Sequence, residues 1–321
     1  MIYMRIPKLY VMCGLPCSGK SHRAQELSDD AIVVSSDVLR AEMFGDVNCQ
    51  EHNQELFVEL HRRIKGFLKL GHNVVYDACN ISYKRRMAFL QELKNIQCEK
   101  ICVLMATPYK QCLSRNAARD RKVPETVIRK MLKNFDIPYW YEGWDEIEIE
   151  YSLIGMMSSF RSDYFPCEWC SSVINFQQEN KHHTLSLGSH CFEALYHIAG
   201  TYELDDEDED DEDASDYNAL YVATAIHDLG KIDCKTFVNS KGKKTQEAHY
   251  YGHEHTGSYH CLFFDYGADP LDVAVLIRWH MQPYYWERDN NEKLHSKYRK
   301  LWGEQLYQDI MKLHEADKAA H

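Results

Sequence analysis

The chain has 321 residues, 45% of them hydrophobic, and a formal net charge of −12. This length favours two domains, and no apolar run approaches the roughly 18 residues of a membrane span, which argues against helical membrane proteins. Nine of the twelve excess negative charges lie in one acidic run, Asp205–Asp213. The rest of the chain is close to neutral, so the charge does not exclude an anionic substrate.

The first seventeen residues contain a short apolar stretch that continues directly into a glycine-rich motif. We interpret it as a buried first strand rather than a signal peptide. The twelve cysteines show no framework spacing, which favours reduced thiols and a cytoplasmic location. Cys167 and Cys170 form a C-x-x-C, half of a zinc site, but without a second such pair we favour structural cysteines.

Short apolar strands alternate with helices through the first half of the chain. The predicted strands are 8–13, 31–35, 73–76 and 100–105, and the predicted helices are 20–27, 51–70 and 83–94. This alternation predicts an α/β domain with a parallel sheet and crossover helices, ending near residue 150.

A phosphate-binding motif follows the first predicted strand. The segment GLPCSGKS fits G-x-x-x-x-G-K-[ST] and opens a helix, so its backbone N–H groups and the helix N-terminus would hold phosphate oxygens. Lys20 would reach the β- and γ-phosphates, and the Ser21 hydroxyl would hold Mg²⁺. The motif predicts ATP with Mg²⁺ as cofactor. The nucleotide-binding residues predicted within it are Gly14, Ser18, Gly19, Lys20 and Ser21.

Further charged residues follow later strands and a basic helix. Asp37 after the second strand could accept a proton from an attacking hydroxyl, and Arg40 one turn later could hold an acceptor phosphate. Asp77 ends the third strand, where it could orient Mg²⁺. Arg115 and Arg119 share a helix face and could form a lid over the transferring phosphoryl group. The alternatives are a helix N-cap at Asp37, a loop carboxylate at Asp77 and solvated surface arginines.

Together these residues resemble the polynucleotide 5′-kinases of phage and bacterial RNA repair. That family pairs a P-loop with Asp-x-x-Arg, here Asp37 and Arg40, a later Asp, here Asp77, and a lid Arg-Asn-x-x-Arg, here Arg115 and Arg119. The resemblance implies that Asp37 is the general base for a 5′-hydroxyl and that Arg40 holds the acceptor's 3′-side phosphate. It also implies that Arg119 contacts the donor phosphates and that the location is a bacterial or phage-infected cell. We assign residues 1–155 to this kinase domain.

The second half of the chain shows only helical patterns. The predicted helices are 184–199, 217–229, 253–264, 270–280 and 296–320. We assign 156–182 to a linker or the start of the second domain, and 183–321 to an all-α domain. The acidic run predicts a disordered insertion, 203–216, inside that domain.

Histidines and aspartates are concentrated in these helices. His227 and Asp228 are adjacent, with His190 in an earlier helix and Asp317 in the last. This mixed nitrogen and oxygen set suits divalent metals, and a metal with open positions can activate water near neutral pH. Lys231 follows the pair closely.

The pattern H…HD…D resembles the HD phosphohydrolase superfamily, with His190, His227, Asp228 and Asp317 as ligands. The resemblance implies one or two divalent metals, among Mg, Mn, Ni, Co and Zn. It gives His253 and His280 to a second metal or to the substrate phosphate, and Lys231 to phosphate neutralisation. His255 is an alternative to His253, whereas we expect His182 and His183 to face solvent.

The two resemblances together predict an enzyme that phosphorylates 5′-hydroxyl ends of RNA or DNA and removes 3′-phosphate or 2′,3′-cyclic phosphate ends. A nucleic-acid ligase acting in the same pathway is an expected partner, and no membrane is. Three alternatives remain open: a nucleoside or small-molecule kinase fused to an HD nucleotide phosphohydrolase, a regulatory module that binds a nucleotide signal, and an ATPase or GTPase switch.

Overall fold

The computed structural model describes residues 6–152, 173–181, 184–201, 214–264, 267–289 and 291–320. Cys167, Cys170, His182, His183 and the acidic run lie outside the described residues. The expectations for them stay predictions.

The chain divides into two compact units. The first unit consists of Met1–Met131 and Pro138–Gly155, and the second consists of Leu132–Ile137 and Met156–His321. The short segment Leu132–Ile137 therefore belongs with the second half of the chain, although the residues on both sides of it belong with the first. As a consequence the chain passes between the units three times.

The first unit has the alternating α/β order that the sequence predicts. Its strands are β1 Lys8–Cys13, β2 Ile32–Ser35, β3 Val74–Asp77, β4 Glu99–Ala106 and β5 Glu146–Tyr151. Its helices are α1 Lys20–Glu26, α2 Ser36–Phe44, α3 Asn53–Lys69, α4 Tyr83–Glu92, α5 Tyr109–Ala117 and α6 Glu125–Leu132.

The five strands form one parallel sheet in the order β2-β3-β1-β4-β5. Strand β1 is central and largely buried because helices cover both faces of a parallel sheet. Helix α3 shows the matching pattern, with a buried stripe of Leu56, Leu60, Ile64 and Leu68 at four-residue spacing. Because all strands are parallel, the loops after β1, β2 and β3 leave the sheet at the same edge, where ligands bind in such folds.

The second unit is mainly helical. Its helices are α7 Leu187–Thr201, α8 Ala214–Ile226, α9 Lys231–Cys234, α10 His253–His260, α11 Pro270–Trp279, α12 Gln282–Asp289, α13 Glu292–Trp302 and α14 Glu304–Ala319. Its core includes the fully buried Trp279 and Trp286. Across the described parts of both units, no helix combines the length and the apolar character needed to cross a membrane.

The expectation that the second unit is all-α is wrong in one element. Thr236–Val238 (β6) and Lys244–His249 (β7) pair as an antiparallel hairpin. Its strands contain few apolar residues, and Phe237 and Val238 are exposed, so the alternation that marks a half-buried strand is missing. Asn239 stabilises the turn through its side-chain oxygen, which accepts from the backbone N–H groups of Lys241 and Lys243.

Two helix predictions near the C-terminal end also need correction. The single helix predicted over 296–320 is two helices, α13 and α14, because Gly303 between them has φ +83° and ψ 171°, which a helix cannot accommodate. Helix α12, which includes Tyr284, Tyr285 and Trp286, was not predicted, because its short polar sequence lacks a helical apolar stripe.

Candidate functional sites

The phosphate-binding motif forms the turn between β1 and α1, where the sequence predicts it. Cys17 within the turn adopts φ 64°, a left-handed conformation that favours glycine. The ammonium of Lys20 is buried and donates to the carbonyl oxygens of Gly14 (3.1 Å) and Leu15 (2.7 Å). Lys20 therefore folds over the loop, with its charge held where phosphate oxygens would replace the carbonyls.

Ser21 and Asp77 meet at the carboxyl edge of the sheet. The Ser21 hydroxyl donates to Asp77 Oδ2 at 3.1 Å, and Asp77 is buried at the end of β3. Hydroxyl and carboxylate oxygens are the ligand types that Mg²⁺ prefers. The structure thus brings together the two residues that the sequence assigns to the ion of an ATP complex.

Asp37 and Arg40 form a pair in the first turns of α2. Arg40 Nη1 donates to Asp37 Oδ1 at 3.2 Å, and Arg40 Nη2 donates to Asn53 Oδ1 at 2.8 Å. Arg40 is buried while Asp37 is exposed, so the carboxylate stays accessible to a substrate. Asp37 is the second residue of α2. The N-cap of this helix is Ser35, so Asp37 is not the N-cap.

The basic segment that begins in the last turn of α5 contacts both of these regions. Helix α5 ends at Ala117, so Arg119 lies beyond it and the prediction that Arg115 and Arg119 share a helix face is wrong. Arg115 Nη1 donates to the carbonyl oxygens of Cys17 (3.4 Å) and Ser18 (3.3 Å), and Arg119 lies 3.2 Å from Cys17 Sγ. Arg121, which the sequence did not single out, donates to Asp37 Oδ2 at 3.1 Å. One short segment therefore touches the phosphate loop and the acid–arginine pair.

Sequence reasoning missed a second arginine, Arg86 of α4, which contacts the loop after β3 and the segment before β5. Arg86 and Glu142 form a buried bidentate ion pair with N–O distances of 2.7 and 2.6 Å. Arg86 also donates to the Asn80 carbonyl at 2.8 Å, and the Trp144 indole donates to Glu142 at 3.2 Å. No spacing signal could reveal a pair so far apart in sequence.

In the second unit, a cluster of four residues has the chemistry of a metal centre. Oxygen or nitrogen atoms of His190, His227, Asp228 and Asp317 all lie within 4.8 Å of one another, and all four residues are buried. His190 Nε2 is 2.9 Å from Asp317 Oδ1 and 3.3 Å from Asp228 Oδ2. His227 Nε2 is 3.5 and 3.6 Å from the same carboxylates.

A second donor group shares Asp228 with the first. His253 Nε2 lies 3.2 Å and His280 Nε2 lies 3.7 Å from Asp228 Oδ1, and the two nitrogens are 3.3 Å apart. Asp228 Oδ2 faces the first donor group and Oδ1 faces the second. This carboxylate therefore lies between two adjacent positions that could each hold a metal ion. His255, the alternative ligand, instead has Nδ1 3.0 Å from the Phe135 carbonyl.

The four histidines are oriented alike. Each directs Nδ1 at a backbone carbonyl, with distances of 3.1 Å for His190, 2.8 Å for His227, 2.9 Å for His253 and 2.7 Å for His280. A carbonyl only accepts, so Nδ1 must carry the proton, and Nε2 of the neutral ring presents a lone pair to the carboxylates. Lone pairs that face carboxylates repel unless a cation or a proton lies between them, so these residues fit a divalent metal.

The electrostatics of the cluster agree with that fit. Burial opposes charge on His190, but Asp228 and Asp317 outweigh it and raise the pKa of His190 to about 10. Burial alone would raise the pKa of Asp228, yet Lys231 and His227 hold that pKa well below its usual range. The pKa of Asp317 is likewise lowered against burial, chiefly by His227 and His190.

Two neighbours hold the carboxylates of this cluster. Lys231 is buried, with Nζ 2.5 Å from Asp228 Oδ2 and 2.9 Å from Gln178 Oε1. The Tyr284 hydroxyl donates to Asp317 Oδ2 at 3.1 Å, which leaves Asp317 Oδ1 for the histidines. The sequence singled out Lys231 for phosphate binding, whereas Tyr284 was not among the predicted site residues.

Comparisons with known proteins agree with the architecture of the first unit. Residues 9–138 match a family model described as an AAA domain. The first unit has the parallel α/β sheet and the phosphate-binding turn of a P-loop domain. A stretch of 144 residues, 43% of this chain, is 26% identical to L-seryl-tRNA(Sec) kinase from Methanococcus maripaludis and spans 56% of that relative's length. The chain thus covers little more than half of the curated relative.

Three solved structures are similar to part of this chain, and their TM-scores are low. A putative kinase from Chloroflexus aurantiacus is 16% identical, with coverage of 46% of this chain and 89% of that chain and a TM-score of 0.39. The Pnkp1/Rnl/Hen1 RNA repair complex is 21% identical, with coverage of 40% and 43% and a TM-score of 0.34. A fungal RNA kinase is 12% identical, with coverage of 45% and 38% and a TM-score of 0.34.

Proposed function

We propose that this protein heals nucleic-acid ends. Its first unit would transfer the γ-phosphoryl group of ATP to a 5′-hydroxyl end of RNA or DNA. Its second unit would act as a metal-dependent phosphohydrolase of the HD type on 3′-phosphate or 2′,3′-cyclic phosphate ends. The observation that supports this pairing is the presence, in one chain, of a phosphate loop beside an acid–arginine pair and of a buried histidine–aspartate centre.

In the kinase reaction, Asp37 would accept the proton of the 5′-hydroxyl as its oxygen attacks the γ-phosphorus. The bond from that phosphorus to the β,γ-bridging oxygen breaks, and ADP leaves. Lys20 and the lid arginines Arg115 and Arg119 would stabilise the charge that develops on the phosphoryl oxygens. Ser21 and Asp77 would hold Mg²⁺, which neutralises part of that charge when bound. Arg40 would bind the acceptor phosphate on the 3′ side.

In the second unit, His190, His227, Asp228 and Asp317 would hold one divalent metal, and Asp228, His253 and His280 a second. A divalent cation supplies Lewis-acid chemistry for phosphate ester hydrolysis. Lys231 adds a buried cation beside Asp228, where it can attract a phosphate group. Mg, Mn, Ni, Co and Zn are all compatible with this mixed donor set.

The kinase acceptor has one further candidate. The curated relative is named for a kinase of L-seryl-tRNA, so it acts on a group attached to an RNA. This name supports an RNA-linked hydroxyl as acceptor. It also favours a second possibility for this chain, phosphorylation of an aminoacyl hydroxyl rather than of the 5′-terminal ribose. A direct comparison of seryl-tRNA with a 5′-hydroxyl oligonucleotide separates the two.

The decisive experiment uses an oligoribonucleotide with a 5′-hydroxyl and a 2′,3′-cyclic phosphate, incubated with ATP, Mg²⁺ and one of Mn²⁺, Co²⁺, Ni²⁺ or Zn²⁺. Each end is followed separately by mass spectrometry. We expect gain of a 5′-phosphate and loss of the cyclic phosphate. Lys20→Ala should lower 5′-phosphorylation at least a hundredfold, because it removes the positive side chain that would contact the donor phosphates. It should spare the 3′ reaction, because Lys20 lies in the first unit.

The matched variant is Asp228→Ala, which should abolish the 3′ reaction and spare the kinase, because Asp228 belongs to both donor groups. A result in which neither end changes while ATP or free nucleosides are consumed would contradict the nucleic-acid substrate. A 3′ reaction that survives Asp228→Ala would contradict the assignment of the metal centre. A nucleic-acid ligase would be the natural partner, since the two reactions together produce ends that it can join.

A further inference from the structure

A segment outside both donor groups contacts the two helices that present His253 and His280. This segment is Leu132–Ile137, which begins at the last residue of α6, the helix after the lid, and belongs to the second unit. His253 is the first residue of α10, and His280 follows the last residue of α11. The positions of these two imidazoles therefore depend on what fixes the start of one helix and the end of the other.

Asp136 links both helices at these points. Its Oδ1 accepts from Arg278 Nε at 2.7 Å and lies 3.4 Å from His255 Nδ1. Arg278 is two residues before His280, and His255 is two residues after His253. Asp136, Arg278 and His255 are all shielded from solvent, so the ion pair is weakly screened.

The backbone of the same segment fixes the entry into α10. His255 Nδ1 also lies 3.0 Å from the Phe135 carbonyl, and the Phe135 ring packs on Tyr259 with a centroid separation of 4.9 Å. Gly252, the N-cap of α10, approaches the Lys133 carbonyl so closely that a Cβ atom there would lie 2.5 Å from it. The close approach leaves α10 little freedom to shift.

We infer that Asp136 is a positioning residue for the metal centre. It acts through Arg278 and His255 to set the distance between His253 and His280. Loss of its charge leaves the buried Arg278 guanidinium without this carboxylate, so α10 and α11 relax relative to each other. The donor group Asp228, His253 and His280 then loses affinity, whereas the group built on His190 and Asp317 keeps its support. This inference rests on the proposed metal-dependent function.

The test measures metal binding by the full-length protein, stripped with chelator and free of nucleotide, in separate titrations with Mn²⁺ and Zn²⁺ followed by calorimetry. For the wild-type protein we expect two equivalents. Asp136→Asn keeps the size of the side chain and removes its charge. It should weaken the second equivalent about tenfold, the lower end of the effect of losing a direct partner of a ligand, because Asp136 acts through Arg278 and His255, and it should change the first by less than about twofold.

Two variants separate positioning from general loss of structure. Asp136→Glu restores the charge and should recover most of the affinity of the second equivalent. Glu125→Gln removes the same charge from an exposed side chain in the first unit and should titrate like the wild type. Thermal unfolding of the metal-free proteins reports whether each variant is folded.

Each outcome decides the inference. Selective weakening of the second equivalent, with recovery in Asp136→Glu, supports it. Equal weakening of both equivalents, or a titration identical to the wild type, overturns it and leaves the proposed function intact. A wild-type protein that binds neither metal overturns the inference and the phosphohydrolase proposal together, while the kinase proposal stands on its own assay.

Discussion

Arg86 and Glu142 form a buried ion pair in which each charge depends on the other. Both side chains are almost fully shielded from water, and burying two charges costs several kcal/mol per ion. The bidentate geometry and the additional partners, Asn80 and Trp144, offset that cost. The pair joins α4 to the segment before β5, and Arg86 also holds the loop after β3 through the Asn80 carbonyl.

We expect Arg86→Met to destabilise the first unit by about 3–5 kcal/mol, because it leaves the buried carboxylate of Glu142 without its arginine partner. The double variant Arg86→Met with Glu142→Leu should be less destabilised than Arg86→Met alone. Denaturant unfolding monitored by tryptophan fluorescence measures both. Arg129→Met is the matched control: its pair with Glu125 is exposed on both sides, so the change should be below about 1 kcal/mol. Additive effects of the two buried substitutions would contradict this account.

The sequence predicted the identity of many site residues but not their geometry. The motif alone indicated Lys20 and Ser21, because the chemistry of phosphate binding needs those residue types at that spacing. The shared orientation of His190 and His227 depends on backbone carbonyls that only the folded chain supplies. Arg121 was missed because a single arginine in a basic segment has no distinguishing spacing, although it contacts Asp37 in the folded protein.

Secondary-structure elements followed the apolar periodicity wherever that signal was strong. Strands β1 and β4 were predicted to within a residue at each end, because both faces are buried and the runs are continuously apolar. The hairpin of β6 and β7 was missed because its strands are mostly polar. The break between α13 and α14 was missed because one glycine inside a helical pattern usually continues the helix.

That break gives a prediction at the same scale. Gly303→Ala should destabilise the second unit by about 1–3 kcal/mol, because φ +83° with ψ 171° is a conformation that only glycine adopts readily. No described atom lies within 4 Å of the new Cβ, so the backbone conformation alone accounts for the expected loss. Gly200→Ala in α7 is the matched control, since Gly200 is helical and also open to a Cβ; it should stabilise by up to about 1 kcal/mol. Thermal unfolding measures both, and shifts of the same sign would contradict the conformational argument.

The two compact units should respond to different ligands. By calorimetry, we expect Mn²⁺ or Zn²⁺ at about 100 times its dissociation constant to stabilise the second unit by about 2.7 kcal/mol, a shift of roughly 5–10 °C. Chelator should reverse the shift. ATP with Mg²⁺ should raise only the transition of the first unit. Asp228→Ala is the control that should remove the metal response and keep the ATP response. A metal-induced shift that survives Asp228→Ala would contradict the assigned centre.

The threefold passage of the chain between its units has a consequence for synthesis on the ribosome. Segment Leu132–Ile137 is made long before α10 and α11, and its Phe135 and Ile137 are fully or almost fully buried in the finished protein. During translation these two side chains have no partners of their own unit to cover them. The cluster of His190, His227, Asp228 and Asp317 is completed later still, since Asp317 is in the last helix. The first unit therefore emerges with an uncovered apolar segment, and transiently exposed apolar surface of this kind is prone to aggregation.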